Sequence, residues 1–219
     1  MQRIPEPELM DEPEQALAYA HADFSEPHNH FINLIRERFG NVLSGTVLDL
    51  GCGPGDICRR FVTAFPQCHV HGIDGSSAML ELGRTDTATH KLGNRIDYFL
   101  GYLPEADLPL KNYDILVSNS LLHHLKDPAT LWKSIRDYSR PGSIVFIMDL
   151  LRPENRNKAE YLLREYADNE PEILRKDFFN SLLAAYRPEE VRPQLNQYGL
   201  ESLHIEIVSD RHFIVYGTL

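Results

Sequence analysis

The chain of 219 residues is 42% hydrophobic and 25% charged, a globular balance that supports one core domain and excludes a largely disordered chain. Acidic residues (32) outnumber basic ones (22) for a formal net charge of -10, so a partner held mainly through a phosphate backbone is not expected. Three cysteines with no Cys-x-x-Cys spacing form neither a disulfide framework nor a zinc site, and no metal is expected.

In chain order, residues 1–13 have the acidic, Pro-rich character of a tail, unlike a secretory signal. No stretch approaches the ~20 apolar residues of a membrane span, so a cytoplasmic protein is expected. Residues 14–22 form a short helical pattern. A second helix, capped by Ser25 with Pro27 in its first turn, places His28, Phe31, Ile32, Ile35 and Phe39 at helical spacing and ends at Gly40. From residue 46 the pattern alternates. Strands are predicted at 46–50, 69–74, 95–100, 113–119 and 143–150, with helices at 56–65, one opened by residues 76–83, and one from Asp127 to Tyr138. Such alternation implies a parallel sheet covered on both faces. Residues 154–186 carry two further helical patterns, the second strongly amphipathic through Phe178, Phe179, Leu182, Leu183 and Tyr186. A helix from Pro188 to Tyr198 then leads into segments 200–208 and 211–217, joined so tightly that they must pair antiparallel. The expected organisation is a tail and helical lid over 1–40, then a core over 41–219 with an inserted cap at about 152–187.

The chemistry gathers where the strand 46–50 runs into Gly51-Cys52-Gly53-Pro54-Gly55 and a helix follows. Glycines there let the backbone turn sharply and let a ligand approach it. A dinucleotide fingerprint would space its glycines as Gly-x-Gly-x-x-Gly and seat a pyrophosphate on the helix. Here Asp56 stands in place of the last glycine and would repel one. Asp49, at the strand end, suits a cationic ligand instead. Asp74 ends the second strand, where a carboxylate can accept both ribose hydroxyls of an adenosine. Ser76 opens the next helix and Met79 faces back from it.

The segments VLDLGCGPGD, GIDGSSAML, YDILVSNSLLHHLKDP and RPGSIVFIMDLLRP resemble, in that order, the successive motifs of class I S-adenosylmethionine-dependent methyltransferases. They are similar to those of the small-molecule enzymes of ubiquinone and menaquinone methylation. The resemblance is strong over residues 43–150 and moderate at the final hairpin. It implies a Rossmann-like α/β fold: seven strands, mostly parallel with an antiparallel last strand, and helices on both faces. It also implies S-adenosyl-L-methionine as cofactor, with Asp49, Gly51 and Gly53 on its methionine side, Asp74 at the ribose, and Ser118 and Asn119 near the ammonium. The loop after the third strand departs from the usual Gly-Asp-Ala pattern. It reads Gly101-Tyr102-Leu103, which leaves adenine to backbone groups or to Tyr102 stacking. By resemblance to phosphoethanolamine methyltransferases, His124 pairs with Tyr19 as a latch over the site; the plainer reading of His123-His124 has one ring packed and one facing solvent. His28 and Arg152 are candidate acceptor contacts, although His28 also suits a packed helix face and Arg152 a carboxylate partner.

The expected reaction is methyl transfer to a small-molecule acceptor in which the protein's main work is alignment, with a base, for which His124 and Tyr19 are the catalytic candidates, needed only where the acceptor loses a proton. Two other readings stand beside it: a nicotinamide-dependent oxidoreductase on a related fold, and a cofactor-binding protein without methyl transfer.

Overall fold

A computed structural model of the chain describes residues 1–6 and 13–219. The expected tail is thereby divided, and its residues 7–12 lie outside the described residues. Seven strands form one sheet: β1 (Ser44–Leu50), β2 (Gln67–Asp74), β3 (Ile96–Leu100), β4 (Ile115–Asn119), β5 (Ile144–Leu150), β6 (His204–Ile207) and β7 (His212–Thr218). Their order is β3-β2-β1-β4-β5-β7-β6. β1 to β5 run parallel, and β7 pairs antiparallel with both β5 and β6. The last strand in sequence is thus inserted beside β5, and β6 takes the edge.

The alternation of side chains along β1 explains why the sheet needs cover on both faces. Val47 packs into one apolar layer, with Phe31 and Ile35 of α2 (Ser25–Phe39) and Phe61 and Val62 of α3 (Asp56–Ala64). Leu48 and Leu50 face the other layer, with Trp132 and Ile135 of α5 (Ala129–Tyr138) and Val191 and Leu195 of α8 (Pro188–Gln197). Each fully buried large side chain contributes about 1.5–3 kcal/mol. Trp132 also satisfies its indole N–H, which donates to Gln194 Oε1 at 2.8 Å.

Several boundaries differ from expectation. α1 spans Pro13–His21, and α4, opened within 76–83 as expected, runs Ser77–Thr89. Ser25 lies inside α2 instead of capping it; the Asp23 carboxylate accepts its N–H at 2.9 Å. The segment 200–208 yields only a four-residue strand, because Leu203 N–H closes a turn onto Leu200 O at 3.0 Å. The cap consists of α6 (Arg156–Ala167) and α7 (Glu172–Ala184), which share an apolar cluster including Leu162 and Leu182. Among the described residues no helix is long and apolar enough to cross a membrane.

Residues 1–6 are an anchored strap. Ile4 N–H donates to Leu183 O at 3.0 Å, and the Arg3 guanidinium donates to Ala184 O, His123 O and Leu125 O while lying 4.2 Å from the Tyr186 ring centre.

Candidate active site

The chain leaves β1 for β2 and β3 on one side, then crosses to β4 on the other. This reversal opens a crevice at the carboxyl ends of β1 and β4, where open α/β sheets bind ligands. A cavity of about 340 Å3 lies there, walled by the glycine loop, the ends of β2 and β4, and α1 and the start of α2.

Gly51, Gly53 and Gly55 have φ of +71°, +51° and +74°, a region that side-chain-bearing residues seldom enter. A methyl group on Gly51 would also lie 2.7 Å from Leu121, whereas one on Gly53 would meet nothing within 4 Å. The loop is therefore packed at its first glycine and open to a ligand at its second. It is fixed by Ile73 O, which accepts from Gly51 N–H and Cys52 N–H, and by Asp74 Oδ2, which accepts from Gly53 N–H at 2.8 Å. Asp74 Oδ1 accepts from Ser76 N–H, also at 2.8 Å. Ser76 in turn caps α4, its hydroxyl accepting from Met79 N–H. Asp74 thus shapes the loop as well as facing the cavity.

Two polar groups here are poorly answered within the protein. Asp49 is 1% exposed, and its hydrogen bond comes from the Cys58 thiol at 3.0 Å. Burial pushes its carboxyl up to about 7, against the milder opposing effect of the thiol. Asn119 Oδ1 is buried without a partner among the described residues. Just beyond it Ser120 adopts φ +58°, turning the chain so that Leu121 and His124 line the cavity.

Tyr19, His28, Asp49, Gly51, Gly53, Asp74, Ser76, Met79, Tyr102, Leu103, Asn119 and His124 all border the cavity. Tyr102 is 65% exposed at its rim. Two expected residues do not border it. The Ser118 hydroxyl turns into the sheet and donates to Leu50 O at 2.7 Å. The Arg152 guanidinium is buried against Glu190 Oε1 at 2.6 Å and Ala185 O at 3.2 Å, holding the base of the cap in place of an acceptor. His28 borders the cavity, but its Nδ1 is engaged at 2.6 Å by Asp56 Oδ2. That oxygen also accepts from Arg60 Nε at 2.6 Å. Although burial would raise it, Asp56 is held down at about 2 by these two partners. The residue expected only to repel pyrophosphate is the anchor for α2.

The histidine pair also departs from expectation. Residues 121–124 form a tight turn, closed by His124 N–H on Leu121 O at 3.0 Å, so the helical divergence of the two rings does not apply. Their centres lie 4.1 Å apart. His123 is 2% exposed and bonded through Nδ1 to Asp149 Oδ1 at 2.7 Å. His124 has its Nδ1 3.1 Å from Glu6 Oε1. Tyr19 stands near Asp56 and Asp74; burial first, then those two charges, push its hydroxyl up to about 12, so it is a hydrogen-bond donor at neutral pH. Sequence reasoning missed Glu6, Cys58 and Asp149. Asp149 carried a signal, a carboxylate at the end of an otherwise apolar strand. Glu6 carried none.

Comparison with known proteins agrees with this geometry. Residues 48–145 match the family model described as a methyltransferase domain. A ubiquinone biosynthesis O-methyltransferase of Acinetobacter baumannii (strain ACICU) is 31% identical over 134 residues, 60% of this chain and 53% of that protein. A trans-aconitate 2-methyltransferase of Azoarcus sp. (strain BH72) is 31% identical over 123 residues, 56% of this chain and 45% of that protein. The chain therefore spans about half the length of these curated relatives. The crystal structure of a SAM dependent methyltransferase from Aquifex aeolicus shares the fold, with a TM-score of 0.70 at 18% identity, covering 94% of this chain and 97% of that one.

Proposed function

We propose that this chain, whose residues 48–145 match the methyltransferase domain model, binds S-adenosyl-L-methionine in the cavity and transfers the methyl group to a small-molecule acceptor. The observation that carries the reading is the buried, poorly answered pair of Asp49 and Asn119 at the carboxyl edge of the sheet. Buried polar groups ordinarily have partners, and these two fit the cationic amino-acid end of this cofactor. A pyrophosphate would instead meet the carboxylates of Asp49, Asp56 and Asp74 along the same wall.

When bound, the cofactor supplies a methyl carbon made electrophilic by its positive sulfur. The protein binds, orients and excludes water. Gly51 and Gly53 give the backbone approach, and Asn119 Oδ1 accepts from the ammonium. Asp74 has both oxygens engaged by backbone N–H groups, yet each carboxylate oxygen accepts more than one hydrogen bond, which leaves capacity for the ribose hydroxyls. Ser76, Met79, Tyr102 and Leu103 form the adenosine wall. Tyr19 and His124 face the acceptor. His28 serves by locking α2 to Asp56, so that residues 1–40 act as a lid over the core at 41–219 and shut the site against water. The acidic balance favours a small molecule over nucleic acid, and three buried free thiols suit a reducing, cytoplasmic setting.

Calorimetric titration with S-adenosylhomocysteine and with NAD tests the cofactor, and labelled methyl incorporation into metabolite fractions tests the transfer. Binding of NAD alone would return the oxidoreductase. Binding of S-adenosylhomocysteine with no incorporation into any fraction would favour a binding protein.

A further inference from the structure

We propose that Glu6, delivered by the N-terminal strap, is the positioning residue that fixes the tautomer of His124 and so presents its Nε2 lone pair to the cavity as a proton acceptor. His124 borders the cavity, and its Nδ1 lies 3.1 Å from Glu6 Oε1, with Glu6 9% and His124 16% exposed. An ionised carboxylate only accepts, so the imidazole proton resides on Nδ1 and Nε2 is left bare. Glu6 is itself held in register. Ser181 Oγ of α7 donates to its Oε1 at 3.0 Å, and the flanking strap is pinned by Ile4 and Arg3.

The groups facing His124 from each neighbouring segment assign the charges. Glu6 approaches from the strap, His123 stacks from the same turn, and Asp149 lies behind His123 on β5. Asp74 lies on the β2 side of the cavity, and Arg3 caps the carbonyls of the turn. Burial first and then His123 push His124 below the ordinary imidazole range. Burial would lower His123 as well, but Asp149 and then Glu6 outweigh it and carry that ring upward. His123, between two carboxylates, therefore takes up a proton more readily than His124, which is left as the base of the pair. In the transfer, which rests on the methyltransferase reading above, the acceptor's proton moves to Nε2. The electron pair left on the acceptor forms the new bond to the methyl carbon as the carbon–sulfur bond breaks, its pair returning to the sulfur to leave neutral thioether S-adenosylhomocysteine.

The same three side chains, with ligand atoms all within 4.8 Å of one another, would also suit a divalent transition cation. The protonated network is favoured because a cation would require His124 Nδ1 to surrender the proton it shares with Glu6, and His123 to stay uncharged beside two carboxylates.

Nitrogen-15 imidazole spectra of the full chain across pH 5–9 test the proposal, with His124 assigned by loss of its signals in His124→Gln. The expected result at pH 7 is the Nδ1–H tautomer. It should be retained in Glu6→Gln, whose amide oxygen still accepts, and lost in Glu6→Ala. Thermal melting and S-adenosylhomocysteine affinity within twofold of the parent would show that both variants fold. An Nε2–H tautomer or a doubly protonated His124 in the parent chain at pH 7 overturns the proposal, as does a Glu6→Ala spectrum identical to the parent. Zinc added at one equivalent after chelator treatment should leave the spectrum unchanged; stoichiometric binding that displaces the Nδ1 proton also overturns it. Failure of the parent chain to bind S-adenosylhomocysteine would count against methyl transfer while the tautomer result stands on its own.

Discussion

The Cys58 thiol donates to Asp49 Oδ2 across 3.0 Å, out of reach of solvent beneath the glycine loop. A thiol is a weak donor, and burial holds the Asp49 carboxyl at about 7. The native chain thus binds this proton more tightly than the unfolded chain does. Stability contributed by Asp49 is full below the ordinary carboxylate range, declines as pH rises from there to about 7, and levels off above it. The ligand's ammonium prefers the ionised form. S-adenosylhomocysteine affinity should rise with pH up to about 7 and then plateau, with proton release detectable by calorimetry in buffers of different ionisation enthalpy. In Asp49→Asn the pH dependence should disappear.

His123→Ala should be a stability variant. The ring is buried, and its removal leaves Asp149 Oδ1 without its side-chain donor. Such a loss costs about 1–3 kcal/mol. In a chain of this size a 2 kcal/mol loss lowers Tm by roughly 4–8 °C, which scanning calorimetry resolves. Tyr19→Phe removes only the hydroxyl and keeps the ring packed on Phe24, so Tm should stay within about 1 °C.

Asp74→Ala removes the acceptor for both Gly53 N–H and Ser76 N–H. Hydrogen bonds to a charged group are worth about 1.5–3 kcal/mol each, so S-adenosylhomocysteine affinity should fall at least about tenfold. Asp74→Asn retains one acceptor oxygen and should fall between. Equal dissociation constants for the three proteins would move the ribose contact elsewhere.

The His28–Asp56 contact bears on the proposed lid. Asp56 is held at about 2, below the ordinary carboxylate range, so its stabilisation persists through neutral pH and is lost only as pH falls from about 4 towards 2. Hydrogen exchange across residues 16–31 at pH 7 should slow when S-adenosylhomocysteine is added. In Asp56→Asn the same segment should exchange faster without ligand. Identical protection in all states would make α1 and α2 fixed structure.

The core of the site was legible because its chemistry is local. Strand, left-handed glycines and helix stand together in sequence, and Asp49 and Asp74 sit at strand ends that hydrophobic runs reveal. Ser118 and Arg152 were misplaced for a different reason. Alternation places residues near an edge but does not decide which way a polar side chain turns: Ser118 found a carbonyl of β1, and Arg152 a carboxylate of α8. The turn at 121–124 was hidden because a left-handed serine breaks the helical spacing from which the divergence of the two histidines was inferred. Glu6 was beyond reach, since its partners are 117 or more residues away and nothing in a Pro-rich acidic segment marks one glutamate from another.

The cap leaves and rejoins the core at almost one point. Leu151 and Tyr186 form a single parallel bridge, and Arg152 N–H donates to Tyr186 O at 3.1 Å, so the excursion carrying α6 and α7 is cinched at its neck. Strand β5 stops before the neck and α8 begins after it. The excursion can therefore lengthen, shorten or be exchanged with no slip in the register of any strand. Evolution, or an engineer, can rework α6 and α7 as a replaceable cassette while the pairing of the sheet stays untouched.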